Sequence, residues 1–309
     1  MSSKYIGYDS AIGLVKWDKA VEALRRGHAR PKAEIADLFL GPQSAMLLNR
    51  AAYIDGLGYG VKAVTVMGDN SAKGLPTVQG AMMVYDGQTG AVSAIIDSRL
   101  VTEVKTASDS VLGALLLAKP NNKRLLIVGA GVVAESLVHA YSAMFPSLEQ
   151  IAIWARREEQ AQDLVDKLKS TEVQLVVADD LKEFVRTADI VSTATMAREP
   201  ILHGEWVSEG THIDLIGAFK PDMREADDAL ISAGSLYVDS RETTLHHIGE
   251  LMIPLAAGVI KETDVKADFY DLLAMSQPAR QSENEITVFK NGGGAHLDLM
   301  IASYLTELT

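Results

Sequence analysis

A glycine-rich turn with the spacing G-x-G-x-x-A is the first feature of this sequence that could do chemistry. It comprises Gly129, Ala130, Gly131, Val132, Val133 and Ala134. Gly129 permits a tight turn, Gly131 has no side chain to keep a phosphate from the backbone, and Ala134 lets a helix pack closely on a strand. The free amides at the start of such a helix bind phosphate groups. The turn therefore predicts a dinucleotide-binding site, and an ordinary structural turn between a strand and a helix is the alternative.

Two arginines, Arg156 and Arg157, follow the next predicted strand. Proteins that bind NAD usually carry an acid there, about 20 residues beyond the turn, which binds the ribose 2′-hydroxyl. Here Ala155 precedes the arginines and no acid occurs before Glu158. Because guanidinium groups pair well with phosphate, we expect NADPH as the cofactor, with NADH as a substitute. In the alternative interpretation, the arginines only solvate the next helix.

The composition limits the remaining possibilities. The chain has 309 residues, of which 48% are hydrophobic, enough for one large or two ordinary domains. It has no cysteine, which excludes disulfides, zinc–thiolate sites and a cysteine nucleophile. The start of the chain lacks the layout of a signal peptide, and no apolar run approaches the ~20 residues of a membrane span. We therefore expect a cytoplasmic protein without a membrane partner, and the net charge of −12 argues against a nucleic-acid partner.

The elements that must position these residues change in character near residue 118. Before it, helices are predicted at residues 18–26 and 98–118, and residues 35–40 could form a helix or a strand. Strands are predicted at 46–49, 60–67, 80–86 and 90–97, and a hairpin turn at 86–90 connects the last two. The long helix stops before Pro120. This part is predicted to be α+β, with a mainly antiparallel sheet.

From residue 124 onward, strands and helices alternate, which is typical of a parallel sheet. Strands are predicted at 125–128, 150–154, 173–177, 190–194, 212–216, 236–239 and 286–289, and helices at 158–168, 264–275 and 292–308. The predicted fold class is α/β. It combines a doubly wound Rossmann domain, residues 119–292, with an α+β domain formed by residues 1–118 with 293–309.

Seven short segments carry a further signal. They are residues 60–66, 74–80, 86–97, 100–107, 129–131, 217–225 and 288–292. Together they resemble the ornithine cyclodeaminase/mu-crystallin family over nearly the whole chain. The resemblance implies a homodimer whose α+β domain binds substrate and forms the dimer contact. It also implies hydride transfer between a nicotinamide and a carbon that bears nitrogen, as in ornithine cyclodeaminase, alanine and arginine dehydrogenases, and reductases of cyclic ketimines.

The resemblance gives roles to several basic residues. Lys62 matches the family's substrate-binding lysine, which can hold a carboxylate or supply a proton, so we expect it to be catalytic. A surface lysine on an alternating strand is the alternative. Lys105 stands where most members carry a carboxylate-binding arginine; lysine keeps the charge but loses the planar two-point fork. Arg50 and Thr77 are further substrate-binding candidates, although a structural turn would also explain Thr77.

Phe219 departs from the family pattern, because cyclodeaminases carry an aspartate there that assists hydrolysis of the imine. A phenyl ring cannot act as a base, so ornithine cyclodeamination is disfavoured. Asp214 could substitute for that carboxylate or be a polar residue at a strand end. We expect Phe219 to line the substrate pocket. From the resemblance, Thr195, Gly217 and Asn291 are expected to bind the cofactor.

A metal site is not predicted. His246 and His247, with Asp239 and Glu250 nearby, contain the right atoms. However, adjacent residues on a helix point to different sides and cannot easily serve one ion.

These observations predict NADPH-dependent reduction of a small cyclic α-imino acid. The expected substrate is Δ1-pyrroline-2-carboxylate or its piperideine homologue, giving L-proline or L-pipecolate. The alternatives are oxidative deamination of an open-chain L-amino acid, such as alanine or arginine, and a protein that binds a nicotinamide cofactor or another small ligand without turnover.

Overall fold

The structure is a computed structural model that describes residues 3–42, 44–169 and 172–308. The strands are β1 Lys4–Ile6, β2 Glu34–Leu40, β3 Ala45–Ile54, β4 Gly58–Met67, β5 Val78–Tyr85, β6 Val92–Asp97, β7 Arg124–Val128, β8 Gln150–Trp154, β9 Gln174–Val177, β10 Ile190–Thr193, β11 His212–Leu215, β12 Ser235–Val238, β13 Val265–Ala267 and β14 Thr287–Lys290. The helices are α1 Tyr8–Ala11, α2 Trp17–His28, α3 Ser98–Leu117, α4 Val132–Met144, α5 Glu158–Lys167, α6 Leu181–Thr187, α7 Asp228–Ala233, α8 Arg241–Thr244, α9 Gly249–Ala256, α10 Phe269–Ala274 and α11 Ala295–Thr306. Among the residues described, no helix is long and apolar enough to cross a membrane.

The chain divides into two compact units. Unit 1 is Met1–Ser108 with Gly294–Thr309, and unit 2 is Asp109–Gly293. The first division falls inside α3, ten residues before the boundary predicted after residue 118. Because α3 is continuous across the division, no proline, glycine or change of period marks it in the sequence.

Unit 1 is built on a six-stranded sheet with the order β1-β6-β5-β4-β3-β2. Neighbouring strands are antiparallel except for β1, which runs parallel to β6. The mainly antiparallel α+β prediction is therefore confirmed, and residues 35–40, predicted as a helix or a strand, belong to strand β2. The turn at 86–90 is closed by Asp86, whose carboxylate accepts hydrogen bonds from the backbone of Gln88 and Thr89.

One face of this sheet is covered by helix α11. In strand β4, Gly60, Lys62 and Val64 alternate with more exposed residues and share the buried face. A Cβ on Gly60 would lie 2.9 Å from the side chain of Leu299 in α11, so the strand and the helix approach closely at a position without a side chain. Lys62 therefore emerges on the face that α11 covers.

Unit 2 contains an eight-stranded sheet with the order β13-β12-β14-β11-β10-β7-β8-β9, and all its strands are parallel. The strand order reverses between β7 and β10, which is the topological switch point of a doubly wound sheet. The Rossmann prediction is confirmed. All seven strands predicted after residue 124 belong to this sheet. The strand predicted at 286–289, β14, inserts between β11 and β12, and β13, which was not predicted, forms an edge.

The helix predicted over residues 264–275 is wrong in its first part. Residues 265–267 form strand β13, and helix α10 begins only at Phe269. Asp268 ends the strand and caps the helix, since its carboxylate accepts a hydrogen bond from the backbone N–H of Asp271. A strand of three residues is too short to show a period of two in the sequence.

Candidate active site

The predicted cofactor residues of unit 2 follow the carboxyl ends of different strands. Gly129 follows β7, Arg156 follows β8, Thr195 follows β10, Gly217 follows β11 and Asn291 follows β14. Because the strands are parallel, their carboxyl ends share one edge of the sheet. The structure thus brings together segments that lie far apart in the sequence.

The glycine turn has the geometry that a pyrophosphate needs. Gly129 has φ +130°, and a Cβ there would lie 2.6 Å from the carbonyl oxygen of Ala194. Any residue other than glycine would therefore be strained at this position. Around Gly131, no heavy atom lies within 4 Å of where a Cβ would stand. Helix α4 starts at Val132 without a side-chain cap, and Ala134 in its first turn is buried. Open space in front of uncapped helix amides fits a dinucleotide phosphate.

Arg156 and Arg157 are both exposed immediately before helix α5. Within the described part of the chain, no acidic side chain forms an ion pair with either of them. The first acid, Glu158, is already the first residue of the helix. The two guanidinium groups are therefore free to meet an anion.

Glu225 organises this edge, although it was not predicted as a site residue and only belongs to one of the segments that carry the family resemblance. One carboxylate oxygen accepts hydrogen bonds from the backbone and the hydroxyl of Thr195, at 2.8 and 2.7 Å. The other accepts from the Thr193 hydroxyl at 2.8 Å and the Gly217 backbone at 2.6 Å. Glu225 is completely buried, so one carboxylate fixes the segments that follow β10 and β11.

A buried lysine lies behind these segments. The Lys290 ammonium donates hydrogen bonds to the carbonyl oxygens of Leu215, Ile216 and Asn291. Burial lowers its pKa, against the opposing effect of nearby carboxylates, with Glu250 the strongest. Burial also raises the pKa of Glu250 to about 7. Both residues are buried, and their hydrogen bonds hold backbone groups at and after the ends of the strands.

Asn291 and Asp214 belong to the same interior. The Asn291 amide donates to the Ser110 hydroxyl at 2.9 Å, and Ser110 donates to Asp214 at 3.1 Å. Ser192 donates to the other oxygen of Asp214 at 2.6 Å. Burial raises the pKa of Asp214 to about 7. Since Asp214 is fully enclosed, it is a structural residue at a strand end and does not replace the cyclodeaminase aspartate.

In unit 1, Lys62 forms a buried ion pair with Asp298. Its Nζ lies 2.6 Å from Oδ2 of Asp298, and the two residues are 6% and 1% exposed. Burial lowers the pKa of Lys62, with Asp298 opposing the shift. Burial alone would raise the pKa of Asp298, but the charges of Lys62, Lys105 and Arg50 outweigh it and hold that pKa below its usual value. The surface alternative for Lys62 is therefore wrong.

Lys105 and Arg50 complete a group that we call the basic cluster, defined as Arg50, Lys62, Lys105, His296 and Asp298. Lys105 is only 7% exposed, so it does not simply face solvent. Arg50 stands directly opposite Lys62 in the β3–β4 register, and its guanidinium forms an ion pair with Asp37 at 3.0 Å. Among the residues described, no carboxylate forms an ion pair with Lys105. The cluster therefore has an excess of positive charge.

The histidine of the basic cluster is neutral. Burial, followed by the influence of His28, lowers the pKa of His296 to about 3. The two imidazole rings meet edge to face, with centroids 5.7 Å apart. His28 is held in turn by a 2.8 Å hydrogen bond from Nδ1 to the carbonyl oxygen of Leu24.

The surroundings of Thr77 and Phe219 do not assign either residue a role in substrate binding. The backbone oxygen of Thr77 accepts a hydrogen bond from Met67, which fits a structural turn before β5. Phe219 is 51% exposed in the loop after β11, with the Lys220 ammonium 5.4 Å from its ring centroid. Their roles in substrate binding stay predictions.

His246 and His247 do not build a metal centre with their neighbours. His246 lies 3.4 Å from Glu262, whereas Asp239 and Glu250 accept hydrogen bonds from backbone groups elsewhere in unit 2. Across the described ranges, no three histidine or acidic side chains form a group that could hold a metal ion.

Sequence reasoning missed Asp298, Glu225 and Lys290 as site-forming residues. A signal existed for Asp298, because it is the single acid in α11, whose other residues are mainly apolar and buried. A charge at such a position requires a partner. No comparable signal marks Glu225, since its four donors come from two separate segments.

Comparison with known proteins agrees with this geometry. The ornithine cyclodeaminase/mu-crystallin family matches residues 45–308. The Δ1-pyrroline-2-carboxylate reductase of Paracoccus denitrificans is 59% identical over 305 residues, which cover 99% of this chain and 96% of the relative.

Two solved structures share the fold over nearly the whole chain. The Thermococcus litoralis Δ1-pyrroline-2-carboxylate reductase, in complex with NADH and L-proline, has a TM-score of 0.92 and 27% identity, covering 99% of this chain and 97% of the other. An archaeal alanine dehydrogenase dimer with bound NAD has a TM-score of 0.91 and 28% identity, covering 100% and 96%. The protein described here belongs to the ornithine cyclodeaminase/mu-crystallin family.

Proposed function

We propose that this protein reduces a small cyclic α-imino acid, Δ1-pyrroline-2-carboxylate or its piperideine homologue, with NADPH as the preferred reductant. The observation that carries the proposal is Lys105, which is buried beside Lys62 and forms no ion pair with a carboxylate among the residues described. Buried charge that is not fully compensated is costly, so the excess of positive charge in the basic cluster suits it to receive an anion. The α-carboxylate of an imino acid supplies it.

The chain is an oxidoreductase that acts on C=N bonds with a nicotinamide cofactor. This class is supported by the 59% identity to the Paracoccus denitrificans reductase and by the 0.92 TM-score to the reductase that binds NADH and L-proline. The glycine turn, with its open approach at Gly131, has space for the pyrophosphate of such a cofactor.

The residues of the basic cluster have different roles in the reaction. Lys105, assisted by Arg50, holds the substrate carboxylate. Lys62 donates a hydrogen bond to the ring nitrogen and then a proton, and its ammonium is restored from solvent. A reduced nicotinamide, once bound, would supply a hydride to C2 of the ring. One hydride and one proton convert the C=N bond to CH–NH, which balances the reaction.

Two observations favour reduction over ornithine cyclodeamination. Phe219 replaces the family's aspartate and offers no base. Asp214, the other candidate, is enclosed by Ser110, Ser192 and Tyr141. Without a carboxylate at position 219 or an accessible Asp214 to activate water, reduction of the imine is favoured over its hydrolysis.

Substrate assays with the purified protein test the reaction. NADPH oxidation is followed with Δ1-pyrroline-2-carboxylate, with piperideine-2-carboxylate, and with pyruvate plus ammonia. We expect oxidation with the cyclic imines. Oxidation with pyruvate and ammonia alone would support an amino-acid dehydrogenase, and no oxidation with any substrate would support a binding protein.

The NADPH preference is supported by the exposed Arg156 and Arg157, which form no ion pair within the described residues. Replacing both arginines with alanine removes the charges expected to meet the 2′-phosphate. The KM for NADPH should rise about tenfold or more while that for NADH changes little. Lys182→Ala, which removes an exposed charge on α6, is the control. An equal change for both cofactors in the double variant would contradict the preference.

We also propose a homodimer that uses the open face of the sheet of unit 1. Asp37, Arg50 and Lys62 are directly paired across β2, β3 and β4, so they share one face. Leu38 and Leu40 alternate with Asp37 and lie on the opposite face, where they are 53% and 51% exposed. Large exposed apolar residues on an edge strand favour association.

A further inference from the structure

We propose that Asp298 is a positioning residue that keeps Lys62 charged and aimed at the substrate nitrogen while the basic cluster holds a carboxylate. The inference rests on the proposed function, because it concerns the group that supplies the proton. It starts from the 2.6 Å contact between the Lys62 ammonium and Asp298, both almost completely buried.

The surroundings of Lys62 make this contact necessary. Strand β3 contributes Arg50, helix α3 contributes Lys105, and helix α11 contributes His296 together with Asp298. His28 of α2 meets the His296 ring. Two of these groups, Arg50 and Lys105, are cations. Burial lowers the pKa of His296 to about 3, so this histidine is neutral near neutral pH.

Asp298 is therefore the negative charge that faces Lys62. The other nearby carboxylate, Asp37, forms an ion pair with Arg50. Burial and the two neighbouring cations would favour the neutral amine of Lys62, and a neutral amine cannot donate a proton to the imine. With Asp298 in place, the ammonium is stabilised, and after each proton transfer the amine is drawn to take up a proton again.

The same carboxylate has an opposite effect on binding. A substrate carboxylate that approaches Lys105 is repelled by the negative charge of Asp298. Asp298 thus weakens anion binding while it supports proton transfer. A residue with a merely structural role would not show these two effects with opposite signs.

The test compares Asp298→Asn with the wild type in two measurements. The first is kcat against pH with the cyclic imine. The second is the affinity for pyrrole-2-carboxylate, a planar analogue that has the carboxylate but no C=N bond to reduce. We expect the alkaline limb of kcat to move down by about one pH unit, so that kcat on this limb falls by up to about tenfold. The analogue should bind as tightly as to the wild type, or more tightly.

Two further variants keep the test decisive. Asp298→Glu retains the charge, so its alkaline limb should stay near that of the wild type, even if Asp298→Asn fails to fold. Glu22→Gln removes an exposed acid of α2 and should leave both measurements unchanged.

The outcomes separate the two proposals. A wild-type protein that does not reduce the imines overturns the proposed function. An active wild type whose Asp298→Asn variant keeps its pH profile overturns the role of Asp298 alone. Parallel losses of kcat and analogue affinity without a pH shift, in a folded variant, would also overturn it.

Discussion

Glu225 accepts a 2.6 Å hydrogen bond from the backbone N–H of Gly217, and through its other oxygen it holds Thr195. These two residues follow β11 and β10, next to the switch point of the sheet. A buried carboxylate thus determines the shape of two segments predicted to contact the cofactor. This relationship has consequences that can be measured.

Replacing Glu225 with glutamine should weaken cofactor binding about tenfold and destabilise the fold by about 1–3 kcal/mol. Each carboxylate oxygen now accepts two hydrogen bonds, whereas an amide keeps one accepting oxygen and turns its NH2 group toward two donors. Cofactor titration and chemical unfolding measure the two effects. Glu209→Gln, at an exposed position of unit 2, is the control. A variant with wild-type cofactor affinity would show that Glu225 does not position these segments.

Gly217→Ala should also impair cofactor binding, for a steric reason. A Cβ at this position would overlap the backbone of Thr195 and lie 2.5 Å from the Glu225 carboxylate. The segments after β10 and β11 must then move apart, and we expect a loss of cofactor affinity of about tenfold or more. Gly13→Ala is the matched control, because no heavy atom lies within 4 Å of its Cβ position. Unchanged titration curves for Gly217→Ala would mean that the cofactor does not depend on this spacing.

The sequence was sufficient to predict most of the strands, but it did not show which strands pair with each other. Alternation in residues 58–67 and the apolar run of β7 reflect which faces are buried, so they can be read directly. The insertion of β14 between β11 and β12 could not be read, because pairing between distant strands is decided by tertiary packing. Strand β13 was wrongly predicted as part of a helix, because three residues are too few to show the alternation of buried and exposed side chains that is typical of a strand.

The site was predictable where a backbone requirement or a family motif marks it. Gly129 was identified because only glycine suits a turn with positive φ. The ion pair of Lys62 with Asp298 joins residues far apart in the chain, and neither residue reveals the other by spacing. Only the folded sheet and helix show that Lys62 is buried and that Lys105 forms no ion pair among the described residues.

Replacing Asp214 with asparagine should change how stability depends on pH. Burial raises the pKa of this carboxyl from 3.8 to about 7, so the folded state binds a proton that the unfolded state releases between these values. Stability is therefore lost as pH rises through this range, by up to about 4 kcal/mol. Asparagine cannot ionise, so the variant should gain stability relative to the wild type as pH rises from about 4 to about 8.

Urea unfolding of both proteins across this pH range measures the difference. The neutral His212 and His296, whose pKa values burial lowers to about 3, oppose this trend but contribute equally to both proteins and cancel. Any constant cost of the lost hydrogen bonds to Ser110 and Ser192 leaves the slope unaffected. Parallel stability curves would show that Asp214 titrates normally.

Lys105→Met should raise the KM for the imino acid by about 10- to 100-fold, with a smaller effect on kcat, because it removes a charged hydrogen-bond donor to the carboxylate. Lys105→Arg keeps the charge and adds the planar fork, so it should retain tight binding. Lys182→Met is the control for removing a lysine. A variant that lowers kcat without changing KM would move Lys105 from binding to another role.

Replacing both Leu38 and Leu40 with glutamate should convert the proposed dimer into a monomer. The two leucines lie on the open face of strand β2, and glutamates there would place like charges opposite each other across a symmetric interface. Light scattering at several protein concentrations measures the mass. Leu14→Glu, at an exposed apolar residue outside the sheet, should leave the mass unchanged. A double variant that stays dimeric would place the interface elsewhere, and a monomeric wild type would exclude the dimer.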